Sequence, residues 1–99
     1  MATTAAVNTA KALVDSLSDR LPADRVTQFR TFVHVGELAE LAYGLIGTLR
    51  KHGLAVTSAE RDLLRDLLHS FDLPMPSYPL LSNRDQYLAE LTVRDDPNL

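Results

Sequence analysis

The sequence predicts an all-α fold: a four-helix bundle, then a Pro-rich extended segment and a short C-terminal helix. Apolar residues recur at spacings of three and four in successive blocks, the periodicity of a half-buried helix. Between the blocks stand the residue types that start and stop helices. The chain has 99 residues, 45% of them hydrophobic, which is enough for one small core and one domain spanning residues 1–99.

The first stripe is Val7, Ala10, Leu13, Val14, Leu17 and Leu21. With Thr3 or Thr4 as cap and Pro22 beyond its end, it predicts a helix over residues 4 to 20. Pro22 suits the first turn of the next helix, where a missing N–H costs nothing, and Asp24 suits its positive pole. Val26, Phe29, Phe32 and Val33 form that helix's stripe, which Gly36 ends. In the third helix Leu38, Leu41, Ala42, Leu45, Ile46 and Leu49 all fall on one side. Arg50, Lys51 and His52 occupy its last turn, and Gly53 is the expected C-terminal stop.

Thr57-Ser58-Ala59-Glu60 reads as a capping box, Thr57 capping and Glu60 reaching back. It opens a fourth helix over residues 58 to 71 with Leu63, Leu64, Leu67, Leu68 and Phe71 on its apolar side. The short preceding loop predicts antiparallel packing of the third and fourth helices. Pro74, Pro76 and Pro79 predict an extended segment, whose Met75, Tyr78, Leu80 and Leu81 pack on the bundle. Ser82 is the expected cap of a short helix over residues 86 to 90, and residues 94–99 are expected to fray.

Thirteen acidic against ten basic residues give a net charge of −3. That balance argues against a nucleic-acid binder and mildly favours a basic partner. With no cysteine there is no disulfide, thiolate metal site or cysteine nucleophile, which fits a reducing cytosol. The start lacks a signal peptide's basic and apolar regions, and no apolar run reaches the roughly 20 residues of a membrane span. His34, His52 and His69 have no histidine partner at metal-ligand spacing, and no Gly-x-Ser-x-Gly or phosphate-binding glycine loop occurs. No enzyme activity, cofactor, metal or small-molecule substrate is therefore expected.

The candidate binding residues are carboxylates that share helix faces. Glu37 and Glu40 lie three apart on the third helix, and Tyr43 extends their strip with no base at pairing distance. Asp62 and Asp66 lie four apart on the fourth, where Arg65 can pair with Asp62. An acidic, aromatic strip is a surface for a basic partner; the plainer reading is a solvated helix face. Gly44 and Gly47, at the margin of the apolar stripe, fit close helix–helix approach or a flat patch for a partner's backbone.

The run Val35-Gly36-Glu37-Leu38-Ala39-Glu40-Leu41-Ala42-Tyr43-Gly44-Leu45-Ile46-Gly47-Thr48-Leu49 resembles the signature of small Maf-type immunity proteins of polymorphic-toxin and contact-dependent inhibition systems. The shared pattern is a Gly-Glu pair opening an apolar helix, a short loop, and a Ser/Thr-x-x-Glu start to a leucine-rich helix. It covers residues 35 to 68. Tyr43 departs from it, standing where the family usually has an acid. The resemblance implies a bacterial, cytoplasmic protein that binds and neutralises a cognate toxin domain, often a nuclease, with Glu37 at the motif position. The alternatives are a helical homodimer or adaptor module and, behind it, a DNA-associated regulator.

Overall fold

The computed structural model describes residues 3–73 and 75–95. Five α-helices run in order: α1 Thr4–Leu17, α2 Ala23–Val35, α3 Leu38–His52, α4 Ser58–His69 and α5 Arg84–Glu90. Among the described residues no strand forms, and no helix is long and apolar enough to cross a membrane.

Thr3 caps α1, its hydroxyl accepting from the Ala6 N–H at 3.1 Å. The helix stops at Leu17, three residues short of the sequence expectation. The Ser18 hydroxyl donates to the Asp15 carbonyl at 2.7 Å, and residues 18–20 turn towards Pro22. Gly36 and Gly53 end α2 and α3 with φ of +76° and +57°, left-handed backbone that a Cβ would strain. On α4 the capping box is complete: Thr57 Oγ1 accepts from the Glu60 N–H and Glu60 accepts from the Thr57 N–H. That helix ends at His69 because the Ser70 N–H and hydroxyl both turn back onto the Leu67 carbonyl.

Leu13, Leu17, Phe29, Leu41, Leu45, Leu64, Leu67 and Leu68 are fully enclosed at the centre. Each buried leucine contributes about 2 kcal/mol of transfer free energy. The packing order corrects one expectation. The main partner of α4 is α1, and α4 touches α3 only slightly, despite the short loop between them. The reason is polar. Glu60 is 2% exposed and receives both outer nitrogens of Arg20, at 2.7 and 2.5 Å, together with the Ser16 hydroxyl at 2.5 Å. Arg20 also donates to the Ala55 carbonyl at 3.0 Å. The end of α1 is thus tied to the start of α4.

The segment after α4 also differs from its expected extended form. Residues Pro79–Asn83 make a 3-10 turn that runs directly into α5 and buries Leu81. Pro79 sits at its start, where proline's fixed φ and missing N–H are tolerated. Ser82 therefore lies inside the turn and caps nothing; α5 begins at Arg84 without a side-chain cap. The expectation at Pro74 falls outside the described residues.

Arg94 and Asp95, expected in a frayed tail, are held: the Val56 N–H donates to the Thr92 carbonyl and the Arg94 N–H to that of Val56, at 2.9 and 2.8 Å. Asp95 accepts from the Ser58 N–H and hydroxyl at 2.7 and 2.9 Å, which holds its carboxyl below the usual range. Residues 96–99 lie outside the described residues.

Burial pushes the Glu60 carboxyl up, but the bonds from Arg20, Ser16 and the Thr57 N–H outweigh it and bring it down to about 2. A lowered carboxylate pKa stabilises the fold above the unfolded value of 4.5, and the contribution disappears as pH falls towards 2. Arg20→Met, which leaves Glu60 buried without its cation, is expected to cost about 3 kcal/mol in urea unfolding at neutral pH. It should also flatten the loss of stability below about pH 4.5.

Gly44 and Gly47 separate cleanly. A Cβ on Gly44 would stand 3.0 Å from Cε1 of the fully buried Phe29, whereas one on Gly47 meets nothing within 4 Å. Gly47→Ala is expected to stabilise by about 0.5–1 kcal/mol through helix propensity. Gly44→Ala should lose about 1 kcal/mol despite the same gain, because the enclosed ring has nowhere to go. Thermal melts of the two variants check the opposite signs.

Candidate functional site

The left-handed turn at Gly36 lets the Glu37 N–H donate to the Phe32 carbonyl at 2.8 Å and folds α3 back along α2. Leu38, Leu41, Leu45 and Leu49 then face the core. Helical geometry leaves Glu40, Tyr43 and Gly47 on the opposite side, with Glu37 at its start.

A second segment crosses this side. The Tyr78 N–H donates to the Met75 carbonyl at 2.9 Å, and this turn sets the Tyr78 side chain over α3. Its hydroxyl donates to Glu40 Oε1 at 2.5 Å, and its ring lies 6.2 Å from that of Tyr43, tilted by 56°. The donated bond to Glu40, with burial and the charges of Glu40 and Glu37, pushes the Tyr78 phenol up to about 12. Glu40 is therefore not the unoccupied carboxylate that a solvated strip implies. It is half-buried and shared with an aromatic neighbour.

Glu37 borders a concavity of about 390 Å³ at the same end of the bundle, together with Asp72, Phe71, Met75 and Ala39. No lysine or arginine lines it. The run from Thr31 to Leu49 carries Glu37 and Glu40 and no lysine or arginine, and that from Asp66 to Asn83 carries Asp66 and Asp72 and none either. The fold brings these two stretches, free of lysine and arginine, together. On the other side of Tyr43, a cleft of about 130 Å³ is shared with Leu80, Leu81, Ile46 and Tyr87. Tyr43 is 47% exposed and Leu80 44%.

The five sequence-selected residues do not form one site. Glu37, Glu40 and Tyr43 share one side of α3. Asp62 and Asp66 lie on α4, away from its buried Leu64, Leu67 and Leu68. Asp62 is 3.3 Å from Arg65, as expected, and 3.6 Å from Arg61, so that pair adds little net charge. Among the described residues no hydrogen bond or ion pair joins the two sets. His69 of the same helix bonds Asp85 of α5 at 2.8 Å. Among the described residues no three His, Asp or Glu side chains are grouped to hold a metal ion.

Sequence reasoning missed Tyr78 and Asp72 as parts of this site. Its only signal was that an apolar Pro-rich segment must pack somewhere, which does not say where.

Comparison with known protein families, with curated proteins and with solved structures finds no match.

Glu40→Gln removes the charged acceptor. The Tyr78 phenol should then ionise nearer its ordinary value of 10 than 12. Ultraviolet difference titration is expected to show more tyrosinate in the variant than in the parent around pH 10–11.

Proposed function

We propose that this chain is an immunity-type inhibitor that binds a cognate toxin domain through the acidic end of the bundle. The observation that supports it best is the juxtaposition of Glu37, Glu40 and Asp72, without an intervening lysine or arginine, beside the exposed ring of Tyr43. Such a surface attracts a basic cleft over distance and offers an aromatic anchor on contact. The resemblance of residues 35 to 68 to Maf-type immunity proteins gives the partner its class, and a nuclease domain has the basic active site that an acidic surface would cover. Asp62 and Asp66 contribute less to this reading, because Arg61 and Arg65 offset them. The same mixed charge leaves α4 a poor phosphate-binding ridge.

The runner-up is a homodimeric or adaptor module. It is favoured by the cleft in which Tyr43 and Leu80, two exposed large apolar side chains, stand together.

Co-expression with the toxin encoded beside this chain's gene tests the first reading. The parent chain should rescue growth and co-purify, and the double variant Glu37→Lys with Glu40→Lys should associate at least tenfold more slowly at low salt. Neither rescue nor co-purification by the parent would sink it. Sedimentation addresses the second reading, for which a mass independent of concentration is the contrary result.

A further inference from the structure

We propose that the cleft between α2 and α3 binds a nucleoside monophosphate, its phosphate at a cluster of Arg25, Lys51 and His52 and its base against Tyr43 and Phe32. The inference goes beyond the toxin reading and shares with it only the side of α3 that carries Glu40 and Tyr43.

The helices form an antiparallel pair about the Gly36 turn, and Phe29 packs on Gly44, which fixes their register. One turn further from Gly36, Arg25 comes level with Thr48. The start of α2 and the end of α3 thus deliver Arg25, Lys51 and His52 to one end of a cleft of about 400 Å³. No carboxylate stands within ion-pairing distance of any of the three among the described residues. Among the described residues the Arg25 side chain bonds the neutral Gln28, at 2.8 Å. The neighbouring Arg50 is differently engaged, 3.9 Å from Glu90 and 5.0 Å over the ring of Tyr87. The one acid lining the cleft, Glu40, is at its opposite end and is held by Tyr78.

A guanidinium, an ammonium and an imidazole on the lining of one cleft make a phosphate-binding combination. Tyr43, 47% exposed, and the half-buried Phe32 both line the cleft and supply aromatic surface for a base. Tyr43 and Lys51 are about 12 Å apart along the axis of α3. Helical side chains lean towards the N-terminus, so Lys51 reaches back towards Tyr43 and shortens that gap. Between them Gly47 has no side chain, and the space where its Cβ would project is open. The cleft is at the small end of ligand sites, roughly 300–1,000 Å³, which fits a mononucleotide better than a larger coenzyme. A net charge of −3 disfavours a polyanionic strand. Arg25 and Lys51 lie 26 positions apart in the chain, so only the fold brings them to one cleft.

The test is titration of the full chain with AMP, adenosine, inorganic phosphate and a short 5′-phosphorylated oligonucleotide, read by amide NMR. AMP should shift Gly44, Gly47, Thr48 and Lys51 with a Kd on the order of 1 mM or tighter. Phosphate and adenosine alone should bind at least tenfold more weakly. Arg25→Met with Lys51→Met should weaken AMP at least tenfold. Gly47→Leu, whose side chain enters open space, should hold or raise the melting temperature and abolish the shifts. No response to about 10 mM AMP would overturn the proposal. So would phosphate matching AMP, an oligonucleotide binding more tightly than AMP, or undiminished binding in a folded Gly47→Leu chain.

Discussion

Glu60 holds a carboxylate in the seam between α1 and α4, bonded to Arg20 and Ser16 of the chain's first 20 residues. It closes the capping box of α4, receives the guanidinium of Arg20 and accepts from Ser16, while being 2% exposed. A carboxylate taken that far from water is tolerable only with its lone pairs satisfied. Meeting that requirement fixes the end of α1 against the start of α4 and, through the Arg20 bond to the Ala55 carbonyl, the loop that leaves α3. Apolar stripes are permissive about which helix they meet; a bidentate ion pair is not. The pairing of α1 with α4 is therefore specified by geometry as well as by area.

This separates what the sequence makes legible from what it does not. The stripe from Leu38 to Leu49, the stop at Gly53 and the Thr57 to Glu60 box are local features, written within one or two helical turns, and the fold keeps all three. Arg20 is 40 residues from Glu60, so its role appears only once the chain has folded. The same limit applies to the surface. Glu37, Glu40 and Tyr43 sit on one side of α3 as their spacing dictates, but the ring that covers Glu40 belongs to Tyr78, 38 residues away. Proline content gave the Pro-rich segment its stiffness without its path, because the 3-10 turn at Pro79–Asn83 is set by the burial of Leu81 and the approach of α5.

The outer side of α3 is electrically polarised along its length. Its start carries Glu37 and Glu40 beside Asp72, and its end carries Lys51 and His52 beside Arg25. Tyr43 stands between the two and is accessible from both. On α3 itself the acids lie at the positive end of the helix dipole and the bases at the negative end, so each set is favourably placed. Any molecule that lies along this side meets two signs of charge and an aromatic step in a fixed order.

The ends of α4 carry a further consequence. Its first N–H is taken by Asp95, and its last carbonyls, those of Leu68 and Phe71 just beyond, by Arg84, at 3.1 and 3.3 Å. Both groups come later in the chain than the helix they finish. The Thr57 and Glu60 box starts α4 locally, but its Ser58 N–H and the Leu68 carbonyl find these further partners only once the C-terminal segment has folded back. The C-terminal segment is thereby tied to both ends of α4, and loosening it would release a bond at each.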